Sequence, residues 1–235
     1  MRRADLARDL ERVAPPELAD PMDAGRIGLV IEGKEEFRAA CVALDVTPRV
    51  VARTVEAGAG MLVVHHTPLW DPVTSLAGSL GRLLAPLLAN RVNLYVIHTN
   101  FDRAPTGIND TLAGLLGLSG TEPLGMGLIG ECTLSAGEIA RRIGGPVRSW
   151  GKAGKIRRLA VVGGSGFNPD WIHEAAYRGA DAFLSAEMKH HVAVSSPVPC
   201  IEATHYALEA PGMRRLARSM EWEFIEDPPD VISLT

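Results

Sequence analysis

The stretch GMLVVHHTPLW, residues 60–70, decides the fold. Four apolar residues, Met61 to Val64, run straight into two adjacent histidines, His65 and His66. A run this short, bounded by glycine and proline, reads as a buried strand. The stretch NLYVIHTNFD, residues 93–102, repeats the arrangement, with Leu94–Ile97 as a strand ending in His98. Between the two, Ser75–Leu88 places Leu76, Leu80, Leu83, Leu84 and Leu87 on one side of an expected helix. Strand, helix and strand in succession imply a right-handed crossover and parallel pairing. In parallel α/β sheets, ligands bind beyond the carboxyl ends of the strands. Those are the ends that carry these histidines.

The same logic extends outward. Toward the N-terminus, residues 2–13 predict an amphipathic helix through Leu6, Leu10 and Val13, stopped by Pro15 and Pro16. Strands are expected at Ile27–Ile31 and Ala40–Leu44. Thr47 as N-cap and Pro48 as first residue open a helix to about Ala57, and Asp45, a candidate site acid, reads rather as a capping residue of that helix entry. Toward the C-terminus, residues 120–150 are rich in glycine and β-like, apart from a short helix at Ser135–Ile143. Alternation then resumes: a strand at Leu159–Val162, helix Pro169–Arg178, strand Ala182–Leu184, helix Glu187–Val194, strand Cys200–Ala203, helix Tyr206–Met220 and strand Trp222–Ile225. The expected fold class is α/β, three-layer, with two similar α/β halves and largely parallel sheets. Residues 1–120 would carry the HH and HTNFD motifs, and residues 121–235 the SAEMKHH and THYALE motifs.

Composition narrows the function. The 235 residues are 46% hydrophobic and 22% charged, with a net charge of −4. That suits a globular protein and gives no global attraction for nucleic acid or acidic membrane. Cys41, Cys132 and Cys200 form no C-x-x-C pair, so neither a disulfide framework nor a thiolate zinc site is expected. The charged N-terminus has no apolar core of a signal peptide, and no apolar run approaches the length of a membrane span. The expected compartment is the cytoplasm.

The histidines carry the chemistry. A lone histidine at a strand end is ordinarily a satisfied polar group, and His173, alone in a helix, fits that description. Adjacent histidines at one strand end are harder to dismiss when His98 is followed by Asp102 and His205 by Glu209, each four residues on. If His205 opens a helix, the i and i+4 side chains share a face and can bind one ion together. Imidazole and carboxylate without thiolate suit zinc, manganese, iron, cobalt or nickel. His190 and His191, in SAEMKHH, are explained as well by a solvated helix face as by a site. The Gly-rich turn VVGGSGFNPD, residues 161–170, is either a tight structural turn or an anion cradle built of backbone N–H groups. It is neither a Walker A nor a G-x-G-x-x-G motif.

HHTPLW at 65–70, HTNFDRAPTGIND at 98–110, SAEMKHH at 185–191 and THYALEAPG at 204–212, with ALDVT at 43–47 and GGSG at 163–166, together resemble the dinuclear-metal proteins known as GTP cyclohydrolase type 2 homologues, or the Ngg-interacting-factor-like family. The resemblance covers nearly the whole chain. It implies two divalent metal ions held by His65, His66, Asp102, His205 and Glu209, with His98 as an extra ligand or neighbour. It also implies a homohexamer. One departure is that Thr67 precedes Pro68, where the family usually continues His-His-Pro.

Two divalent ions against Asp102 and Glu209 would leave an excess of about +2, which favours phosphate oxygens, and Glu209 is placed to bridge the ions. The chemistry expected is metal-dependent hydrolysis of a nucleotide or phosphoester, a small phosphate-bearing ligand, with His98 and Glu187 as candidate catalytic acid/base groups. The alternative is a metal-binding regulatory, chaperone-like or scaffold protein without turnover.

Overall fold

A computed structural model describes residues 1–230. In chain order its elements are α1 (Arg3–Val13), β1 (Gly28–Ile31), β2 (Ala40–Ala43), α2 (Pro48–Glu56), β3 (Met61–Val64), α3 (Ser79–Ala89), β4 (Asn93–Val96), α4 (Thr99–Arg103), α5 (Ile108–Leu116), β5 (Ser119–Leu124), β6 (Gly127–Leu134), α6 (Ala136–Ile143), β7 (Val147–Trp150), β8 (Ile156–Val161), α7 (Pro169–Tyr177), β9 (Ala182–Ser185), α8 (His190–Ser195), β10 (Cys200–Ala203), α9 (His205–Ser219) and β11 (Glu223–Phe224). They form two compact units, Met1–Phe101 with the chain from Met213 onward, and Asp102–Gly212. The divisions therefore fall inside α4 and α9 rather than at the expected 120/121 boundary. The C-terminal strand β11 pairs with β2, which returns that end of the chain to the first unit. Residues 231–235, the end of the second expected half, lie outside the described residues.

The first unit has a five-stranded sheet in the order β1-β4-β3-β2-β11. Only the β1–β4 pair is antiparallel. Every residue of β2, β3 and β4 is buried, as parallel strands covered on both faces require. Leu62, Val64, Leu94 and Val96 pack with Val50 and Val51 of α2 and Leu84 and Leu87 of α3. Helix α2 starts as expected, with Thr47 Oγ1 accepting from Val50 N at 3.1 Å and Pro48 in the first turn. Helix α3 begins later than the leucine spacing predicts. Gly78 adopts φ +83 just before it, and Leu76 lies 53% exposed outside the helix.

The second unit has a six-stranded mixed sheet, β5-β6-β8-β9-β10-β7. Its centre, β8-β9-β10, is parallel, as the β/α alternation of 156–203 requires, and the pairs β5–β6, β6–β8 and β10–β7 are antiparallel. Alternation along β8 serves two cores. Leu159 and Val161 pack with Leu112 and Leu116 of α5 and Ile139 of α6, whereas Ala160 packs with Ile172 and Ala175 of α7. Helix α6 carries a complete capping box between Ser135 and Glu138. Two features depart from the expectations. Helix α5 went unpredicted, and α8 begins at His190, so Glu187 stands outside a helix with φ +63.

Glu202 of β10 fastens the segment carrying Glu187. Its Oε2 accepts from Arg148 Nη2 at 2.7 Å and Trp150 Nε1 at 2.9 Å, and its Oε1 accepts from Met188 N at 3.1 Å. Burial pushes this carboxyl up, but the hydrogen bonds from Trp150, Arg148 and Met188 outweigh it and hold the group below its ordinary 4.5. A carboxyl depressed in the folded state stabilises above its unfolded pKa, and that stabilisation is lost as pH falls through the lower folded value. Glu202→Gln should therefore lower the unfolding free energy by ~1–2 kcal/mol at neutral pH. In denaturant titrations the gap to wild type should shrink well below pH 4.5. A gap independent of pH would contradict this account.

Candidate metal-binding site

In the first unit, Leu44 O accepts from both His65 N, at 3.1 Å, and His66 N, at 3.0 Å, just past the end of β3. The two side chains leave the strand from adjacent positions, with ring centroids 4.8 Å apart. His98 follows β4, its ring centroid 5.1 Å from that of His65. The three histidines can each offer one nitrogen within 4.8 Å of the others.

Their second nitrogens are fixed. His65, fully buried, has Nδ1 2.8 Å from Ile97 O. His66 Nδ1 lies 2.7 Å from Asp45 Oδ1, and His98 Nδ1 lies 2.7 Å from Asp23 Oδ1. A carbonyl can only accept, so His65 Nδ1 must carry its proton, which leaves Nε2 as the lone-pair donor. The carboxylates favour the same tautomer at His66 and His98. This arrangement, an oxygen behind each imidazole, orients histidines that bind metal. Asp45 is thus the partner of His66, and the capping role expected for it belongs to Thr47 alone.

Asp23 was not singled out in the sequence. It is 1% exposed and accepts from Thr99 N at 3.0 Å, from Thr99 Oγ1 and from His98. Burial pushes its carboxyl up, but the hydrogen bonds from His98 and Thr99 prevail and hold it below its ordinary 3.8. Asp23 lies 75 positions before His98, in a short 3₁₀ turn, so no local spacing pointed to it.

In the second unit, His205 opens α9 and Glu209 lies one turn on, with His205 Nε2 2.9 Å from Glu209 Oε2. The expected i,i+4 pairing is therefore present. His205 Nδ1 is 2.7 Å from Glu187 Oε1, so Glu187 stands behind His205 as Asp45 stands behind His66. The Gly-rich turn packs against the same pair. A Cβ on Gly164, which adopts φ +66, would lie 2.2 Å from Glu209 Oε1 and 3.1 Å from His205 Nε2. Ser185 Oγ ties that turn to the SAEMKHH segment, donating to Gly164 O at 2.8 Å and accepting from Gly166 N at 2.8 Å.

Asp102 is 9% exposed in α4. Asn109, also missed, fixes its surroundings: Asn109 Nδ2 donates to Asp102 O at 3.2 Å and to Met126 O at 3.0 Å, and its Oδ1 accepts from Gly163 N at 2.8 Å. By contrast His190 and His191 are exposed on α8, and His173 is exposed with Nδ1 on Pro169 O of its own helix.

Buried histidine and carboxylate groups of this kind can hold a metal ion. A two-sheet α/β protein with such groups at its strand and helix ends is the class defined by fold and site. The chain belongs to the Duf34/NIF3 (NGG1p interacting factor 3) family, whose model matches residues 1–229. Relatives named GTP cyclohydrolase 1 type 2 homolog include one from Streptomyces coelicolor, 32% identical over 89% of this chain and 82% of its own length. Another, from Pyrococcus abyssi, is 33% identical over 86% of this chain and 87% of its own. Among solved structures, reduced HcgD from Methanocaldococcus jannaschii is similar with TM-score 0.83 and 27% identity, covering 95% of this chain and 96% of that one. A Bacillus cereus protein related to NIF3 shares the fold with TM-score 0.87 at 19% identity, over 99% of each chain. Among the described residues no helix is long and apolar enough to cross a membrane.

Proposed function

We propose that this protein binds two divalent metal ions and uses them to hydrolyse a nucleotide or phosphoester. His65, His66, Asp102, His205 and Glu209 would hold the pair, and Glu209 is the carboxylate we assign as the bridge. The observation that carries this reading is the oxygen behind Nδ1 of His65, His66, His98 and His205, the arrangement that orients metal-binding imidazoles. When bound, such a pair supplies an activated water near neutral pH. The protein's own residues orient the donors: Glu187 Oε1 lies behind His205, and His98 Nδ1 rests on Asp23.

The added carboxylates change the charge argument. Asp23, Asp45 and Glu187 join Asp102 and Glu209, and five carboxylates against two divalent ions leave about −1 rather than +2. Net charge then does not draw phosphate inward. Attack on an uncharged carbon of a nucleotide suits this balance better than attack on phosphorus. The use of Glu187 Oε1 and His98 Nδ1 in orienting contacts favours the second reading, a metal-binding protein without turnover.

The deciding experiment is elemental analysis together with a phosphoester, nucleotide and nucleoside hydrolysis screen on one metal-loaded sample. Chelator-sensitive turnover supports the hydrolase, and full metallation without turnover supports the binding protein. Asp45→Asn and Glu187→Gln should each weaken metal binding by ~10–100-fold, read by competition with a chromogenic chelator; unchanged affinity would sink the orienting role. We also propose a cytoplasmic homohexamer from the family resemblance. Light scattering at a mass near 25.1 kDa would overturn that assembly.

A further inference from the structure

The second unit holds a cavity of about 590 Å³ that Asp102, a proposed metal ligand, lines at one end. One wall runs from Asp102 and Arg103 to Asp110 at the start of α5, and the other is the β5–β6 turn with Met126 and Leu128. Asn109 joins the two walls through its bonds to Asp102 O and Met126 O, and it is 2% exposed. The spacing of the walls is therefore set before any ligand arrives. The volume falls within the roughly 300–1,000 Å³ of small-molecule sites.

The lining specifies the occupant. The lining carries one cation, Arg103, and two carboxylates, Asp102 and Asp110, so the cavity has no surplus of positive charge to hold a phosphate. Met126 brings a thioether and Arg103 a planar guanidinium, and both favour the faces and edges of aromatic rings. Leu128 supplies apolar surface.

We propose that this cavity binds the uncharged ring of a nucleobase or nucleoside, presented toward Asp102. The proposal rests on the metal reading only in taking Asp102 as the ligand beside which the ring would react. The binding itself needs no metal.

The test uses the full chain, once metal-loaded and once stripped by chelator, with guanosine, adenosine and inorganic phosphate as probes in calorimetry and ligand-observed NMR. Met126→Trp fills the cavity. Since that position is partly buried, Arg103→Ala, at an exposed position, is the second variant. The expected result is nucleoside binding to the stripped protein, weakened about tenfold or more in both variants, with phosphate failing to compete and the thermal unfolding of Arg103→Ala unchanged. Absence of nucleoside binding, wild-type affinity in either variant, or displacement of the nucleoside by phosphate would overturn the proposal. Because the stripped protein is measured, failure of the metal reading appears separately, in the elemental analysis.

Discussion

Glu209→Gln should cost the protein most of its bound metal. Glu209 is 3% exposed, lies 2.9 Å from His205 Nε2 and is the bridge in the dinuclear site proposed above. Glutamine keeps the shape but removes the charge and one donor oxygen. Residues one step behind a metal ligand are worth ~10–100-fold in affinity, so loss of a bridging carboxylate should exceed ~100-fold. Elemental analysis after gentle purification should find about two equivalents in wild type and close to none in the variant. His173→Ala, which alters an exposed histidine bonded within its own helix, should leave the metal content intact. Wild-type metal content in Glu209→Gln would remove Glu209 from the ligand set. A single tightly bound ion in wild type, with no second site at high metal, would refute the dinuclear form.

Gly164→Ala should damage stability and metal binding together. An L-residue at φ +66 costs ~1–2 kcal/mol in backbone strain. The added Cβ would also stand 2.2 Å from Glu209 Oε1, which must then move from its place beside His205. Gly179→Ala is the internal control: its φ is +79, and nothing lies within 4 Å of the built Cβ. Both variants should lose the strain energy in chemical denaturation. Only Gly164→Ala should also lose metal affinity, by ~10-fold or more, as expected when a ligand is displaced rather than deleted. Equal metal binding in the two variants would show that Glu209 can swing clear at no cost to the site.

The sequence by itself determined the α/β alternation and the chemical nature of the site. Short apolar runs ending in histidine identified β3 and β4, because a fully buried strand needs apolar residues on both faces and its carboxyl end is where a polar site can open. The helix entry at Thr47 and Pro48 and the His205–Glu209 pair were legible because both depend on neighbours within one helical turn. Helix α5 escaped because Gly107 gives it no side-chain cap and its Gly114 and leucines blend into the β-like segment that follows.

Only the tertiary structure decided which oxygen stands behind each imidazole. Asp23 meets His98 across 75 positions, Asp45 meets His66 across 21 and Glu187 meets His205 across 18. Hydrogen bonds at such separations follow from strand order and loop path, which no local pattern encodes. The same holds for β11, returned to the first sheet by pairing with β2, and for Asn109, whose single amide fastens three distant segments. Residue types told which atoms can bind a metal; the chain's path through two sheets decided which of them are held in place to do so.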